Sequence, residues 1–350
     1  MHDAARAPGG LLDAVALSLV HGVGSVRYRE LMRAHGSAEG VLQAMGGAAR
    51  ERARDEARRA LDRAAAMGAH CLVVGGDGYP DTLLELPDPP PVLWALGDLR
   101  MLHRPLVAIV GTRRATAHGT RAARSLARSL GEAGAAVVSG LALGIDAAAH
   151  AGALDTRGGT VAVLGTGVDV VYPRSNAPVR ERIVEQGLLI SELSPGDAAD
   201  AGSFPRRNRI IAALSRVTLV VEAPHRSGAL ITAGHALELG RNVAAVPGPI
   251  DVAACAGSNQ LLRDGAQVIC GADDLLQLAG VRAGRAPCLE PPSGEVERHV
   301  WEALADGPSD ADTLVAATGL PAAACLAALG RLELEGRVES TLTGQIVRRC

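Results

Sequence analysis

Short apolar runs that recur between helical patterns constrain the fold of this chain more than any other feature. Six of them follow one another from Leu106 onward, in the order LVAIVG, AAVVSG, TVAVLG, GLLISE, VTLVVEA and NVAAVPG. Each run is continuously apolar rather than alternating, and each is followed by a turn and a helical pattern, which is typical of parallel strands covered on both faces. The sequence therefore predicts an α/β fold with a Rossmann-like, mostly parallel sheet as its core.

Different patterns on either side of this core divide the chain into predicted domains. The N-terminal part is helical, and its Gly22 and Gly24 lie in a turn that is either a plain interhelical turn or a helix-hairpin-helix phosphate contact. The C-terminal part has the order helix, helix, turn, helix and hairpin, which resembles a winged helix. The predicted units are a helical (helix-hairpin-helix or SAM-like) domain over residues 1–70, the Rossmann-like core over 71–280, a linker over 281–294 and a winged-helix-like domain over 295–350.

Charge and cysteine usage exclude several kinds of chemistry. All 35 basic residues are arginine, which excludes a pyridoxal phosphate anchor and the lysine of a GxxxxGK[ST] phosphate loop. The six cysteines are scattered without a CxxC pair, so we expect neither a metal nor a disulfide framework, and no cofactor. Residues 295–350 carry nine acidic residues against five arginines, a net charge of -4, which favours a protein contact over DNA for this domain.

The distribution of apolar residues along the chain predicts the cellular compartment of the protein. No basic segment precedes the first apolar run, and no uninterrupted apolar run approaches the ~20 residues that a membrane span needs. We therefore expect a cytoplasmic protein without membrane insertion.

The turns after the predicted strands are the candidate binding sites, because ligands of doubly wound sheets lie beyond the carboxyl ends of the strands. The first turn belongs to a stretch, Leu99 to Gly131, with seven arginines and no carboxylate. Glycines at both of the first two strand ends let backbone N–H groups approach an anion, which predicts phosphate contacts. The residues concerned are Gly111, Thr112 and Arg113 in the first turn and Ser139 and Gly140 in the second.

The stretch FPRRNRIIAALS concentrates positive charge at the start of a predicted helix, where Arg206, Arg207 and Arg209 follow Phe204. Cations are unfavourable at a helix N-terminus by ~0.3–1 kcal/mol each unless an anion joins them, which predicts a phosphate site. Single-stranded nucleic acid stacks bases on such a ring while arginines hold its backbone. Ordinary core packing is the other interpretation of the ring, and Arg209 is expected to turn inward to pair with a carboxylate.

Other patterns point away from catalysis. Asp146 and His150 lie four residues apart on a predicted helix without a third metal ligand, so we expect a helix cap and a local hydrogen bond. The turn AVLGTGVDVVYP lacks the third glycine of a dinucleotide fingerprint, because Val170 stands there. His225 and Ser227 match no nucleophile elbow, and we expect no catalytic residue.

A series of motifs in the core resembles the DNA processing protein DprA family, also called Smf, in order and spacing. The motifs are AIVGTRRATAHG, VVSGLALGIDAAAHAGAL, VLGTGVDVVYP, LLISE, FPRRNRIIAALS, VVEAPHRSGALITAGHALELGR and AVPG, between about residues 79 and 279. The resemblance implies a non-catalytic cytoplasmic bacterial protein that binds and protects incoming single-stranded DNA during natural transformation. It further implies a homodimer formed through the Rossmann-like core, and loading of the recombinase RecA onto the DNA.

The resemblance also implies roles for individual residues. The DNA-binding positions that it matches are Gly111, Thr112 and Arg113, then Ser139 and Gly140, then Phe204, Arg206, Arg207 and Asn208, and finally Ser227, Gly228 and Thr232. Three positions depart from the family pattern. His118 replaces a common tyrosine, Ala213 a common glycine, and Leu143 the arginine of SGLARGID. The missing charge at Leu143 is expected to weaken DNA binding without abolishing it.

Two other functions compete with this interpretation. The core is also similar to phosphoribohydrolases of the lysine decarboxylase-like group, whose PGGxGTxxE signature supplies a glutamate for acid or base work. The comparable turn here is HRSGALITA, which lacks that glutamate. A transcription regulator that uses the winged-helix-like domain is disfavoured by the acidic balance of that domain.

Overall fold

The computed structural model describes residues 10–200, 202–281, 292–304, 309–340 and 345–348. The chain divides into two compact units, Met1–Ala283 and Gly284–Cys350. In the part of the chain that the structure describes, no single helix is both long and apolar enough to cross a membrane. One bent pair, Ala311–Thr318 with Ala322–Leu334, meets that test by length and composition only.

The first unit is built on a sheet of nine described strands. The strands are β1 (His70–Val73), β2 (Val92–Gly97), β3 (Leu106–Val110), β4 (Ala136–Ser139), β5 (Thr160–Val163), β6 (Leu188–Ser191), β7 (Val217–Val220), β8 (Asn242–Ala245) and β9 (Gln267–Val268). Strands β3 to β8 are the six predicted apolar runs, and nearly every residue in them is buried.

The strand order is β1-β2-β6-β5-β4-β3-β7-β8-β9. Strands β3 to β9 pair in parallel, whereas β2 joins β6 and β1 joins β2 in antiparallel register. The chain proceeds from β3 in one direction through β6 and then returns to the other side of β3 with β7. The mostly parallel α/β core predicted from the sequence is confirmed, and β3 lies where the winding changes direction, a position where such sheets bind ligands.

Helices cover both faces of the sheet, which explains why its strands are apolar without alternation. The helices of this unit are α1 (Gly10–Leu19), α2 (Ser25–His35), α3 (Ala38–Ala44), α4 (Gly47–Ala66), α5 (Ala117–Glu132), α6 (Ile145–Leu154), α7 (Ala177–Gln186), α8 (Ser203–Leu214), α9 (Gly228–Glu238), α10 (Ala256–Arg263) and α11 (Ala272–Ala279). Helices α5, α6, α7 and α11 pack on one face, and α8, α9 and α10 pack on the other.

The N-terminal helices pack against the antiparallel end of the sheet. Apolar side chains of α1 and α4, including Val15 and Ala57, form one buried cluster with Trp94 of β2 and with Val168. An ion pair between Asp13 and the Arg54 guanidinium (2.7 Å) joins the two helices. These helices therefore belong to the same compact unit as the sheet.

The second unit has its own small core. It contains α12 (Glu295–Ala303), α13 (Ala311–Thr318), α14 (Ala322–Leu334) and a hairpin of β10 (Val338–Ser340) and β11 (Ile346–Arg348). Trp301, Leu314 and Leu332 are buried between the helices, and the Arg348 guanidinium lies 3.2 Å from the centre of the Trp301 ring. The predicted winged helix is confirmed.

Candidate nucleic-acid interface

A crevice lies beyond the carboxyl ends of β3, β4 and β5, and the start of α8 forms one of its walls. It brings together side chains from four separate segments of the chain. Among the residues that line it are Arg113, Gly140, Leu143, Gly165, Tyr172, Phe204 and Arg207. Four of the predicted site residues, Arg113, Gly140, Phe204 and Arg207, thus share one crevice.

The turn after β3 exposes two arginines on a tightly packed backbone. A Cβ atom on Gly111 would lie 2.5 Å from the Ile145 side chain, so only glycine fits there. Thr112 is buried, and its N–H donates to the main-chain oxygen of Glu222 (2.7 Å). Arg113 and Arg114 are exposed, and Arg113 lines the crevice. Gly111 and Thr112 therefore shape the turn, and Arg113 is the group that it offers to a ligand in the crevice.

The turn after β4 is an internal part of the site. The Ser139 hydroxyl is fully buried and donates to the main-chain oxygen of Ile109 (2.6 Å). A Cβ on Gly140 would lie 2.4 Å from the Arg207 guanidinium, so the missing side chain makes room for that group. Ser139 therefore fixes the end of β4, and Gly140 leaves the space that the Arg207 guanidinium fills, so both residues determine the shape of the crevice.

Leu141, the next residue, is held in a left-handed backbone conformation (φ 54°), which is unfavourable for a leucine. Its N–H donates to Nε2 of His150 (3.2 Å), and its main-chain oxygen accepts from the Asn176 amide (3.0 Å). Nδ1 of His150 lies 2.8 Å from the Thr160 hydroxyl. The local hydrogen bond expected of His150 is confirmed, and it fixes the strained turn.

Asp146 binds this same turn and does not cap its own helix. The N-cap of α6 is Gly144, and the Asp146 carboxylate accepts from the backbone N–H groups of Gly140 (3.1 Å) and Ala142 (3.3 Å). The expected cap at Asp146 is therefore wrong, because the preceding turn folds back over the first turn of α6. The carboxylate orders the β4 turn.

Burial perturbs the three ionisable groups behind the crevice. It raises the pKa of Asp146, which the nearby Arg207 charge opposes. It lowers the pKa of His150 to about 3 and that of the Arg207 guanidinium to about 10. Desolvation disfavours the charged form in each case. Asp146 and Arg207 compensate one another electrostatically, and His150 is neutral.

The arginines at the start of α8 have partners inside the protein. Arg207 is 4% exposed, and its guanidinium donates to the main-chain oxygens of Gly140 (2.8 Å) and Val163. Glu192 accepts from Arg206 (3.2 Å) and from Arg209 (2.7 Å). The inward pairing predicted for Arg209 is confirmed, and it extends to Asp88 (3.2 Å). Much of the positive charge crowded here is therefore neutralised without a ligand.

Phe204 lies between core and crevice and is half-buried. A Cβ on Gly165 would lie 2.7 Å from the ring, which places the ring directly on the turn after β5. The Tyr172 ring lies 5.3 Å away at a tilt of 34°, and the Arg113 guanidinium lies 5.5 Å from the ring centre. Phe204 thus connects a glycine turn, a second ring and the exposed cation.

The turn before α9, with the predicted residues Ser227, Gly228 and Thr232, is not among the segments that line the crevice. Ser227 caps α9 by accepting from the N–H of Ala229 (3.3 Å), and the buried Thr232 hydroxyl donates to the main-chain oxygen of Gly228 (3.4 Å). The Asn208 amide donates to the same oxygen (3.2 Å). Asn208 therefore attaches α8 to this turn.

Four exposed arginines are available at the carboxyl edge of the sheet, and Arg113 is the one of them that lines the crevice. They lie in the turns after β3, β5 and β7, and no ion pair to any of them occurs within the described residues. The four are Arg113, Arg114, Arg174 and Arg226. These arginines are exposed cationic groups, without an ion-pair partner among the described residues, in a chain whose overall formal charge is -3.

The sequence analysis missed three residues that build the site. Glu192 pairs with the arginines of α8, Asn176 holds the β4 turn, and Glu222 holds the β3 turn. Glu192 and Glu222 carry a sequence signal, since each is a carboxylate one or two residues beyond the end of a buried strand. Asn176 carries none, because it lies in a segment whose approach to the β4 turn depends on the tertiary fold.

The fold and this edge define a class of protein: an α/β protein with a cationic, partly aromatic crevice beyond its strands, joined to a winged helix. Residues 70–280 match the family DNA recombination-mediator protein A, and residues 271–341 match the DprA winged helix domain. The chain belongs to this DprA, or Smf, family.

Relatives and solved structures agree with this assignment. Protein Smf of Synechocystis is 39% identical over 302 residues, covering 74% of this chain and 75% of the relative. The putative DNA processing protein DprA of Mycobacterium tuberculosis is 45% identical over 260 residues, covering 71% and 67%.

Two solved structures share the fold. The X-ray structure of DNA processing protein A from Streptococcus pneumoniae has a TM-score of 0.66 at 33% identity, covering 75% of this chain and 95% of that one. The protein from Helicobacter pylori, solved to explain its single-stranded DNA binding mode, has a TM-score of 0.56 at 32% identity, covering 61% and 97%.

Proposed function

We propose that this protein is a non-catalytic recombination mediator that binds single-stranded DNA in the crevice. The observation that carries the proposal is the pair formed by Arg113 and Phe204. An exposed guanidinium without a carboxylate partner among the described residues lies 5.5 Å from the centre of a half-buried ring. A phosphate clamp beside a stacking surface is the combination that single-stranded nucleic acid uses.

The preference for single strands follows from the ring. Bases in a duplex are stacked on one another, so their faces are not available to Phe204, whereas a single strand can present a base face to it. The free arginines in the turns after β3, β5 and β7 supply the electrostatic component, which dominates nucleic-acid affinity and weakens with salt. The DNA-binding structure of the Helicobacter pylori relative supports the same assignment.

The absence of catalysis is part of the proposal. The titratable groups behind the crevice are engaged in structure: Asp146 accepts two backbone N–H groups, and His150 holds Leu141. The turn before α9 has no glutamate in the position that phosphoribohydrolases use. Neither group is therefore arranged to transfer a proton to or from a nucleotide.

The wider role follows from family membership. We propose a cytoplasmic homodimer that protects incoming DNA during natural transformation and loads RecA onto it, with the acidic winged helix contacting a protein. Light scattering of the purified chain tests the dimer. RecA filament formation on DNA coated with single-strand-binding protein, with and without this chain, tests the loading.

The decisive experiment is a fluorescence anisotropy titration with one labelled oligonucleotide, single-stranded or annealed to its complement, across a salt series. We expect tighter binding to the single strand and steep weakening with salt. Equal affinity for both forms, or none for either, would contradict the proposal. Release of free base when the protein is incubated with nucleoside monophosphates would instead favour an enzyme of the phosphoribohydrolase type.

A further inference from the structure

Glu222 holds both ends of the segment that carries Arg113. It follows β7, is 2% exposed, and its main-chain oxygen accepts from the N–H of Thr112 (2.7 Å). Its carboxylate accepts from the N–H of Thr116 (2.9 Å) and from the Thr116 hydroxyl (2.5 Å). Residues 113–115 therefore lie between two points that one side chain and its own backbone fix.

The carboxylate of Glu222 also lies at the start of α5. Thr116 is the N-cap of that helix, and its hydroxyl oxygen accepts from the N–H of Gly119 (3.0 Å). A Cβ on Gly119 would lie 2.3 Å from the Glu222 carboxyl carbon, so the helix has a glycine where the carboxylate packs. The first turn of α5 has no acidic residue of its own.

A negative charge is favourable at this position. The N-terminus of a helix carries a partial positive charge, and α/β proteins commonly place a bound phosphate at the helix that follows a strand at the winding switch. Here β3 is that strand and α5 is that helix. The protein's own carboxylate occupies the position that a phosphate would otherwise take.

We infer that Glu222 is a positioning residue for DNA binding: its carboxylate takes the place of a phosphate at the α5 N-terminus and fixes the loop that presents Arg113. The inference rests on the proposed function, because it assumes that Arg113 contacts DNA. It also explains the class of ligand. With the α5 N-terminus filled, phosphates are bound by side chains at the rim, where a continuous strand can pass.

Two variants of the full chain test the role of the carboxylate. Glu222→Ala removes it, and Glu222→Gln keeps its shape without its charge. Asp13→Asn is a matched control, because Asp13 is a comparably buried carboxylate (4% exposed) that pairs with Arg54 in the N-terminal helices. All three variants are compared with Arg113→Ala and with the double variant Arg113→Ala/Glu222→Ala.

The readout is affinity for a labelled single-stranded oligonucleotide. We expect Glu222→Ala to weaken binding about tenfold, as for loss of one charged hydrogen-bonding contact, and Glu222→Gln to weaken it less. The double variant should bind no more weakly than Arg113→Ala alone, because both changes remove the same contact. Asp13→Asn should bind normally.

Acetate provides a test that a purely structural role would not satisfy. In the Glu222→Ala variant, sodium acetate should restore part of the affinity relative to sodium chloride at the same ionic strength, because acetate can enter the vacated position. It should not help Arg113→Ala. Unchanged affinity in a folded Glu222→Ala variant, or fully additive losses in the double variant, would overturn the inference.

Hydrogen exchange separates failure of this inference from failure of the proposed function. Without DNA, the amide of Thr116 should exchange faster in Glu222→Ala than in the wild type, since it loses its acceptor. If the Thr116 amide exchanges faster in Glu222→Ala but Arg113→Ala binds DNA normally, Glu222 holds the loop but Arg113 does not contact DNA. The proposed DNA contact is then wrong, and so is the role of Glu222 in DNA binding. If exchange is unchanged, Glu222 does not hold the loop, whatever the DNA affinity.

Discussion

The guanidinium carbon of Arg113 lies 5.5 Å from the centre of the Phe204 ring, which joins the turn after β3 to the first turn of α8. A cation at this distance from a ring is attracted to its face. The same cation is exposed and has no carboxylate partner among the described residues. Arg113 can therefore bind a phosphate group while Phe204, next to it, stacks on a base.

Replacing Arg113 by alanine should weaken binding of single-stranded DNA. Loss of one phosphate contact should also reduce the slope of log affinity against log salt by about 0.7. Anisotropy titrations across a salt series measure both quantities. Arg216→Ala is the matched control, because Arg216 is exposed at the opposite, amino-terminal edge of the sheet, just before β7. Equal losses in both variants would mean that the charge acts only through the net charge of the protein.

Replacing Phe204 by leucine should weaken DNA binding with little change in salt dependence. A base that stacks on an aromatic side chain contributes ~1–3 kcal/mol, and leucine keeps apolar contact with Gly165 but offers no ring face. Phe204→Tyr should retain most of the affinity. If leucine and tyrosine bind equally well, the ring serves the core and not the DNA.

The sheet and the winged helix were predictable from the sequence because each depends on local patterns. Continuous apolar runs followed by helical patterns indicate buried parallel strands regardless of what surrounds them. Arg113 and Phe204 were each predictable for the same reason, as an arginine at a strand end and a ring at a helix start. Their contact was not, because it depends on how β3 and α8 meet across the sheet.

The charge at the start of α8 shows the limit of sequence reasoning. The stretch FPRRNRIIAALS contains no acid, which predicted an external anion, yet Glu192 and Asp88 supply internal partners from other segments. Arg207 likewise donates to the main-chain oxygens of Gly140 and Val163, at the carboxyl ends of β4 and β5. Helix-dipole arguments identify an unbalanced charge correctly, but only the tertiary structure shows what balances it.

Replacing Arg207 by methionine should destabilise the fold strongly. The change leaves two buried main-chain oxygens without their donor and Asp146 without a compensating charge, and breaking a buried charged network costs about 3–5 kcal/mol. Arg206→Ala, which removes a 46% exposed partner of Glu192, should cost under about 1 kcal/mol. Urea denaturation measures both, and equal small losses would show that Arg207 does not support the crevice.

His150 should make the fold sensitive to acid. Burial lowers its pKa in the folded state to about 3 from 6.5, so the unfolded chain binds the extra proton between these values. Its contribution is therefore fully present above pH 6.5 and is lost as the pH falls, by up to about 1.4 kcal/mol per pH unit.

The variant His150→Gln isolates this effect. Glutamine can accept from Leu141 and donate to Thr160 but does not titrate, so the stability difference between wild type and variant should shrink from pH 7 to pH 5. The raised pKa of Asp146 has the opposite effect, since it makes the fold more stable as the pH falls. Asp146 is present in both proteins, so its effect cancels in the stability difference between them. A difference that is independent of pH would mean that His150 is accessible to protons in the folded protein.

Replacing Leu143 by arginine should strengthen DNA binding. Leu143 lines the same crevice as Arg113 and is 43% exposed, so a charged side chain there can reach solvent and a passing phosphate without being buried. One added phosphate contact should steepen the salt dependence by about 0.7 in slope and raise affinity most at low salt. Leu143→Gln controls for the loss of the apolar side chain, and Leu143→Glu should weaken binding by repulsion. If all three variants bind as the wild type does, the strand does not pass residue 143.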